Sequence, residues 1–358
     1  MPDRLYLDHA ATTPMTDAAK AAVADGMARW ANPSSPHAEG RAARAALEEA
    51  RGRIAAAYGW GHETILTSGT SEALRIALDR VSAEARLILA VEHDAVIRTA
   101  PDATVLPVDA MGWPIADTLG AALAGGGRSI VAVQWANSET GVRQPIAAWA
   151  EPIHAAGALL LVDAAQMPPG ADPSVVEHAD FVALSSHKRG GPVGIGALLV
   201  RELGTLAPTG GQERGYRPGT ENLPGAMGYA AALAEPEPLG EWQALRERLD
   251  DAIARSGGEV VAMMQRRHPA IASYRMPGTA AAAQLIRFDL AGISVSAGSA
   301  CSSGSMKPSH VLAAMGWSEA ASREVVRVSF GRTTSEADVT RFIQAWRQIA
   351  RETRSFAA

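Results

Sequence analysis

Short, nearly continuous apolar runs alternate with helical patterns through the first part of this 358-residue chain, and that order most narrows what it can fold into. The runs are "ETILTS" (Glu63 to Ser68), "RLILAVE" (Arg86 to Glu92), "SIVAVQWA" (Ser129 to Ala136), "ALLLVDAAQ" (Ala158 to Gln166) and "DFVALSSHK" (Asp180 to Lys188). Each is short for a helix and too apolar for a strand with one wet face, so each reads as a strand covered on both sides. Helical patterns lie around and between them: "GRAARAALEEARGRIAAAYG" before the first, "SEALRIALDRVSAEA" after it and "QPIAAWAEPIHAAG" before the fourth. Repeated strand, helix, strand order gives a mostly parallel sheet with helices on both faces, hence an α/β fold. Ligands in such sheets sit beyond the carboxyl ends of the strands.

The character changes at "AEPEPLG" (Ala234 to Gly240), a proline-rich joint followed by the polar helix "EWQALRERLDDAIARSG". The chain is long enough for two domains. We expect a large domain over residues 16–240 and a smaller α+β domain made from residues 1–15 and 241–358. In the final helical pattern, Val339, Phe342, Ile343, Trp346 and Ile349 share one face, which reads as core packing. A net charge of −5 gives no reason to expect nucleic acid as a partner. No apolar run reaches the ~18 residues that a membrane-spanning helix needs. The single cysteine cannot form an intrachain disulfide, and "MPDRLYLDHAATTP" lacks a basic segment followed by an apolar one, so the cytoplasm is the expected compartment.

Chemistry gathers just after the strands. "SSHKRGGPVGIG" puts Ser185, His187 and Lys188 where the fifth run ends in a glycine-rich turn. A lone lysine is usually a solvated charge. One at a strand end, flanked by hydroxyl and imidazole groups, can be a Schiff-base amine, because desolvation lowers its pKa and frees the lone pair. "GPVGIG" precedes the strand-like "ALLV" rather than a helix, which makes it a poor dinucleotide fingerprint. In "TSGTSEALRIAL", Gly69, Thr70 and Ser71 open a helix. That is an N-cap, and together with the helix amides it is also an anion site suited to a phosphate. "VDAAQ" brings Asp163 and Gln166 to the same sheet edge, where a carboxylate under a pyridine ring would keep its nitrogen protonated. His93 of "VEHDAV" could stack over such a ring, although a satisfied structural histidine is the commoner case. Cys301 sits among small residues in "VSAGSACSSGSMKPSHVL", an unusual setting for a structural thiol.

Phosphate cup, pyridinium partner, ring stacker and imine lysine thus occur in the order that successive strands would deliver to one crevice. Together with "YLDHAATTP", "NPSSPHAEGRAAR", "NSETGVRQPI", "GGQERGYRPGTEN" and "VRVSFGRTTSEADV", these blocks run over almost the whole chain. In this the chain resembles the pyridoxal-phosphate cysteine desulfurases of the class V aminotransferase group. The resemblance implies a fold type I transferase with a seven-stranded sheet, and L-cysteine as substrate. It implies that Lys188 holds the cofactor as an imine, that His93 stacks on the ring and relays protons, and that Asp163 pairs with the ring nitrogen. Gln166 would contact the phenolic oxygen. Thr70, Ser71, Ser185 and His187 would hold the phosphate, with Thr220 of "RPGTEN" supplied by the second subunit of a homodimer. Arg327 would clamp the substrate carboxylate, for which a guanidinium fork is well shaped. Asn32 and His37 would belong to the active-site rim. Cys301 would be the nucleophile that takes sulfur from L-cysteine as a persulfide, leaving alanine, and would hand it to a sulfur-acceptor or iron-sulfur scaffold protein. No resident metal is expected, with Cys301 the one residue placed to act as a transient iron-sulfur ligand.

The chain departs from the family's usual blocks in three places. "SGTSEALR" stands for "SGATESNN", Ser138 of "NSETG" stands for an asparagine that touches cofactor or substrate, and His9 stands for the asparagine of "LDNAATTP". Two other functions are compatible with these residues. One is a related lyase or aminotransferase acting on selenocysteine or cysteine sulfinate. The other is a catalytically weakened scaffold for sulfur-transfer proteins.

Overall fold

The computed structural model describes residues 4–125, 127–298 and 308–357; Cys301 lies outside the described residues. Its strands in chain order are β1 (Leu5–Tyr6), β2 (Glu63–Thr67), β3 (Ala85–Leu89), β4 (Thr104–Leu106), β5 (Ser129–Gln134) and β6 (Leu159–Asp163). There follow β7 (Phe181–Ser185), β8 (Gly196–Val200), β9 (Glu259–Val260), β10 (Ile271–Arg275), β11 (Ile293–Ser294) and β12 (Val325–Ser329). Seven of them form one sheet in the order β2-β8-β7-β6-β5-β3-β4, in which only β8 runs against its neighbours.

Every residue of β5, β6, β7 and β8 is buried, as continuous apolar runs require of strands covered on both faces. On one face, Leu47 and Ile54 of the helix Ala38–Ala57 join Leu160, Val162 and Leu184; on the other, Leu74 and Leu78 of the helix Thr70–Arg80 join Ile130, Leu161 and Phe181. A third core gathers Leu5, Leu7, Trp242, Tyr274 and Phe288 around the antiparallel sheet β12-β10-β9. The stripe expected at the C-terminus belongs to it: Val339, Phe342, Ile343, Trp346 and Ile349 are all buried, and Phe342 stacks on Phe288 at 5.0 Å between ring centroids. At ~1.5–3 kcal/mol for each large side chain removed from water, that face is ample reason for the terminal helix to dock.

The strands end earlier than the apolar runs do. β3 stops at Leu89 rather than Glu92, β5 at Gln134, β6 at Asp163 and β7 at Ser185. The extra apolar residues turn over the sheet edge, where their backbone groups find partners outside the ladder, as in Trp135 N–H to the Asp163 carbonyl (2.9 Å). The segments just past the strands are therefore loops at the carboxyl edge, and they carry the chemical side chains.

The N-terminal segment stitches the two sheets together. β1 pairs in parallel with β11, Asp8 bridges Ser329, and the Thr13 N–H donates to the His187 carbonyl at 2.8 Å.

Candidate active site

A cavity of about 510 Å³ opens at the carboxyl ends of β2, β3, β5, β6 and β7 and is lined also by Arg327 and His310. Thr70, Ser71, His93, Ser138, Asp163, Gln166, Ser185, His187, Lys188 and Arg327 all line it. Thr220, Asn32 and His37 do not. All three are exposed, and two have other tasks. His37 Nδ1 accepts from the Gly40 N–H at 3.2 Å, capping the helix Ala38–Ala57, and Asn32 Oδ1 accepts from the Ser34 N–H at 2.8 Å.

Lys188 follows β7 in the turn that Gly190 and Gly191 allow; a side chain at Gly191 would strike Ser186 Oγ at 2.2 Å. Burial pushes the ammonium down to about 8, Asp163 opposes that fall, and Arg327 and Arg189 add to it. Burial likewise brings His187 down to about 4, reinforced by Lys188 and Arg189, so its imidazole is neutral near pH 7; its Nδ1 lies 3.2 Å from Thr12 Oγ1. His93 opens the helix Asp94–Thr99, its Nδ1 accepting from the Ala95 N–H at 3.1 Å, which leaves the proton of the neutral ring on Nε2. Desolvation first, and Lys188 second, lower its pKa.

Asp163 ends β6, is buried, and accepts from the Ala165 N–H at 3.0 Å. Beside it is a residue the sequence reading passed over. Glu92 is fully buried, its Oε1 accepts from the Gln134 N–H at 2.9 Å, and burial together with Asp163 pushes its carboxyl well above the usual carboxylate range. Two anchors at the entrance were also missed. Ser309 Oγ donates to Glu139 Oε2 (2.6 Å), and the His310 ring Nε2 lies 2.9 Å from the Glu92 carbonyl. They tie down the chain just beyond the segment that contains Cys301, while Gly298, just before it, also lines the cavity.

The residues present fit pyridoxal phosphate. Among the described residues no side chain caps the helix Thr70–Arg80, so the amides of its first turn are open to an anion, and Thr70 Oγ1 is buried without a partner among them. Gly69, at φ +150, turns the chain there, and Gly196 of β8 packs so tightly that a Cβ on it would lie 2.6 Å from Gly69 Cα. Gln166 is the third indication: its Nε2 donates to the Ala10 carbonyl at 2.9 Å while its buried Oε1 has no partner among the described residues.

The chain matches the model of the aminotransferase class-V family over residues 5–342. It is 36% identical to a cysteine desulfurase of Gluconacetobacter diazotrophicus, over 95% of this chain and 91% of that protein. It is 37% identical to an IscS-like cysteine desulfurase of Mycobacterium tuberculosis, over 93% of each. Among solved structures, a NifS-like protein from Rickettsia africae superposes with a TM-score of 0.87 at 29% identity, covering 97% of this chain and 99% of that one. The protein belongs to the class-V aminotransferase family, within its pyridoxal-phosphate-dependent cysteine desulfurase branch.

Proposed function

We propose that this enzyme converts L-cysteine to L-alanine, with the sulfur retained as a persulfide on Cys301 and passed to an acceptor protein in iron-sulfur cluster or thio-cofactor assembly. One observation carries the reading: a lysine whose amine is brought down to about 8 shares a cavity with a buried aspartate and an arginine. When bound, pyridoxal phosphate supplies the electron sink that lets a proton leave the substrate Cα.

The protein residues do the rest. Lys188 Nζ, deprotonated in a useful fraction near neutral pH, would hold the cofactor and would serve as the base that carries the α-proton. Asp163 would keep the ring nitrogen protonated, and His93, whose neutral ring carries its proton on Nε2, would help hold the ring. Thr70, Ser71, Ser185 and His187 would hold the phosphate, with neutral imidazole at His187 leaving the helix amides to supply most of the attraction. Arg327 binds the substrate carboxylate. Cys301 Sγ, as thiolate, attacks the substrate sulfur. The new S–S bond forms as the C–S bond breaks, and alanine leaves after its carbon is protonated. Cys301 is three residues past Gly298, a reach of about 10 Å at most, which supports access to the cavity Gly298 lines.

We assign residues 16–240 to a cofactor domain and residues 1–15 and 241–358 to a small domain, supported by the separate core around β10 and β12. A homodimer in which Thr220 serves the partner's site is supported by the exposure of Thr220 on a loop pinned by Arg217–Glu72 (3.1 Å) and Arg44–Glu221 (3.3 Å). Among the described residues no helix is long and apolar enough to cross a membrane, and a lone thiol suits the reducing cytoplasm.

The test is incubation with L-cysteine and a reductant, measuring alanine and sulfide together. Equal amounts are expected. Alanine absent, or formed without sulfide or persulfide, overturns the proposal.

A further inference from the structure

Arg327 is held before any substrate arrives. It projects from β12 with little exposed surface; its Nη2 donates to Asp8 Oδ1 at 2.7 Å and its Nη1 donates to the Ser138 carbonyl at 2.9 Å. Two of the five N–H donors of an arginine are thereby used. Among the three that remain is Nε–H, which is buried and has no partner among the described residues. An unpartnered buried donor beside a cavity is costly unless a ligand completes it, and a carboxylate accepts two such N–H groups at once.

Asp8 belongs to a segment that reaches the other end of the same cavity. Ala10, two residues on, takes the Gln166 amide; Thr12 Oγ1 meets His187 Nδ1; and Thr13 Oγ1 donates to the Lys188 carbonyl at 3.2 Å. The strap Asp8–Thr13 thus contacts Arg327, Gln166, His187 and Lys188 in turn. The Asp8 side chain is about one-fifth exposed and makes no other described hydrogen bond, whereas its backbone carbonyl serves the turn by accepting from the Ala11 and Thr12 N–H groups.

We propose that Asp8 is a positioning residue for substrate recognition: it fixes the Arg327 guanidinium so that its free N–H edge faces the cavity, ready for the α-carboxylate of an amino acid. This rests on the reading of Arg327 as the carboxylate clamp. Asp8 also neutralises Arg327, which by itself would weaken attraction for an anion, so two effects oppose each other. Orientation is the larger, because without Asp8 a four-torsion side chain keeps a single anchor at the Ser138 carbonyl.

The test uses holoenzyme carrying Asp8→Ala and, separately, Asp8→Asn, whose amide oxygen can accept from Arg327 in the same place. For Asp8→Ala, KM for L-cysteine and Kd for L-alanine, read from the absorbance of the bound cofactor, rise about tenfold. kcat stays within about twofold, and binding of cysteamine, which lacks the carboxylate, is unchanged. Asp8→Asn recovers most of the loss. An unchanged or lower KM in Asp8→Ala, equal weakening toward cysteamine, or no recovery in Asp8→Asn overturns the proposal. The alanine and cysteamine titrations do not depend on desulfuration, so a wild-type enzyme that makes no sulfide would sink the proposed reaction while leaving Asp8 still tested.

Discussion

The two ends of the cavity are built in opposite ways. At the proposed cofactor end, Asp163, Ser185 and Lys188 stand at or just past the tips of neighbouring strands of one sheet, and desolvation of the amine, opposed by Asp163, sets its proton affinity. At the end proposed to take the substrate carboxylate, Arg327, Asp8 and Ser138 come from three distant parts of the chain and hold one another by an ion pair and a carbonyl contact. The difference follows from the tasks. A nucleophilic amine must lose its proton near neutral pH, which low solvation favours. A guanidinium must keep its charge and its direction, which fixed partners favour.

That contrast breaks most easily at Lys188. Lys188→Ala removes the amine proposed both to capture the cofactor and to move the α-proton, and alanine formation is expected to fall roughly three orders of magnitude or more. A variant keeping more than about a tenth of wild-type turnover would place the proton transfer on another group. Next in size is Glu92, which tests whether the cofactor end is governed by desolvation. Its carboxyl is pushed up in the folded state by burial and by Asp163, so the folded protein binds a proton that the unfolded chain gives up above about pH 4.3. The stability this provides is complete below that pH and is lost as pH rises through the folded-state value. Glu92→Gln cannot ionise. Its unfolding midpoint is therefore expected to fall less than that of wild type as pH rises above about 5. Parallel curves would mean that Glu92 is charged and paired.

Sequence alone resolves the cofactor end well and the carboxylate end poorly. Apolar runs end where strands end, give or take three residues, so Asp163, Ser185, His187 and Lys188 could be placed on one edge from periodicity and turn chemistry. Arg327 was located only by resemblance, and Asp8 carries no local signal at all: an aspartate beside a short strand is ordinary until β12 is laid next to it by contacts more than 300 residues apart. Glu92 was invisible for another reason. In "VEHDAV" the histidine draws attention, while a glutamate gains meaning only from full burial and the nearness of Asp163, neither of which a pattern encodes. His37 shows the reverse case. A rim residue by resemblance, it is a helix cap by geometry.

The smallest predicted effect is the one that links the two ends. Arg327 is among the charges that lower the Lys188 amine, acting across the cavity without a hydrogen bond between them, after burial and against Asp163. If the ends were independent, removing the guanidinium charge would leave the amine alone. If the charge is felt through the low-dielectric cavity, Arg327→Gln raises the amine's midpoint above the value of about 8, whereas Asp163→Asn lowers it. The rate at which cofactor-free protein captures added pyridoxal phosphate, followed against pH, reads that midpoint directly, because only the unprotonated amine reacts. The two variants must move it in opposite directions. A shift of the same sign in both would mean that the cavity had reorganised rather than merely lost a charge. A shift in Asp163→Asn alone would confine the electrostatics to the cofactor end and leave Arg327 purely a binding group.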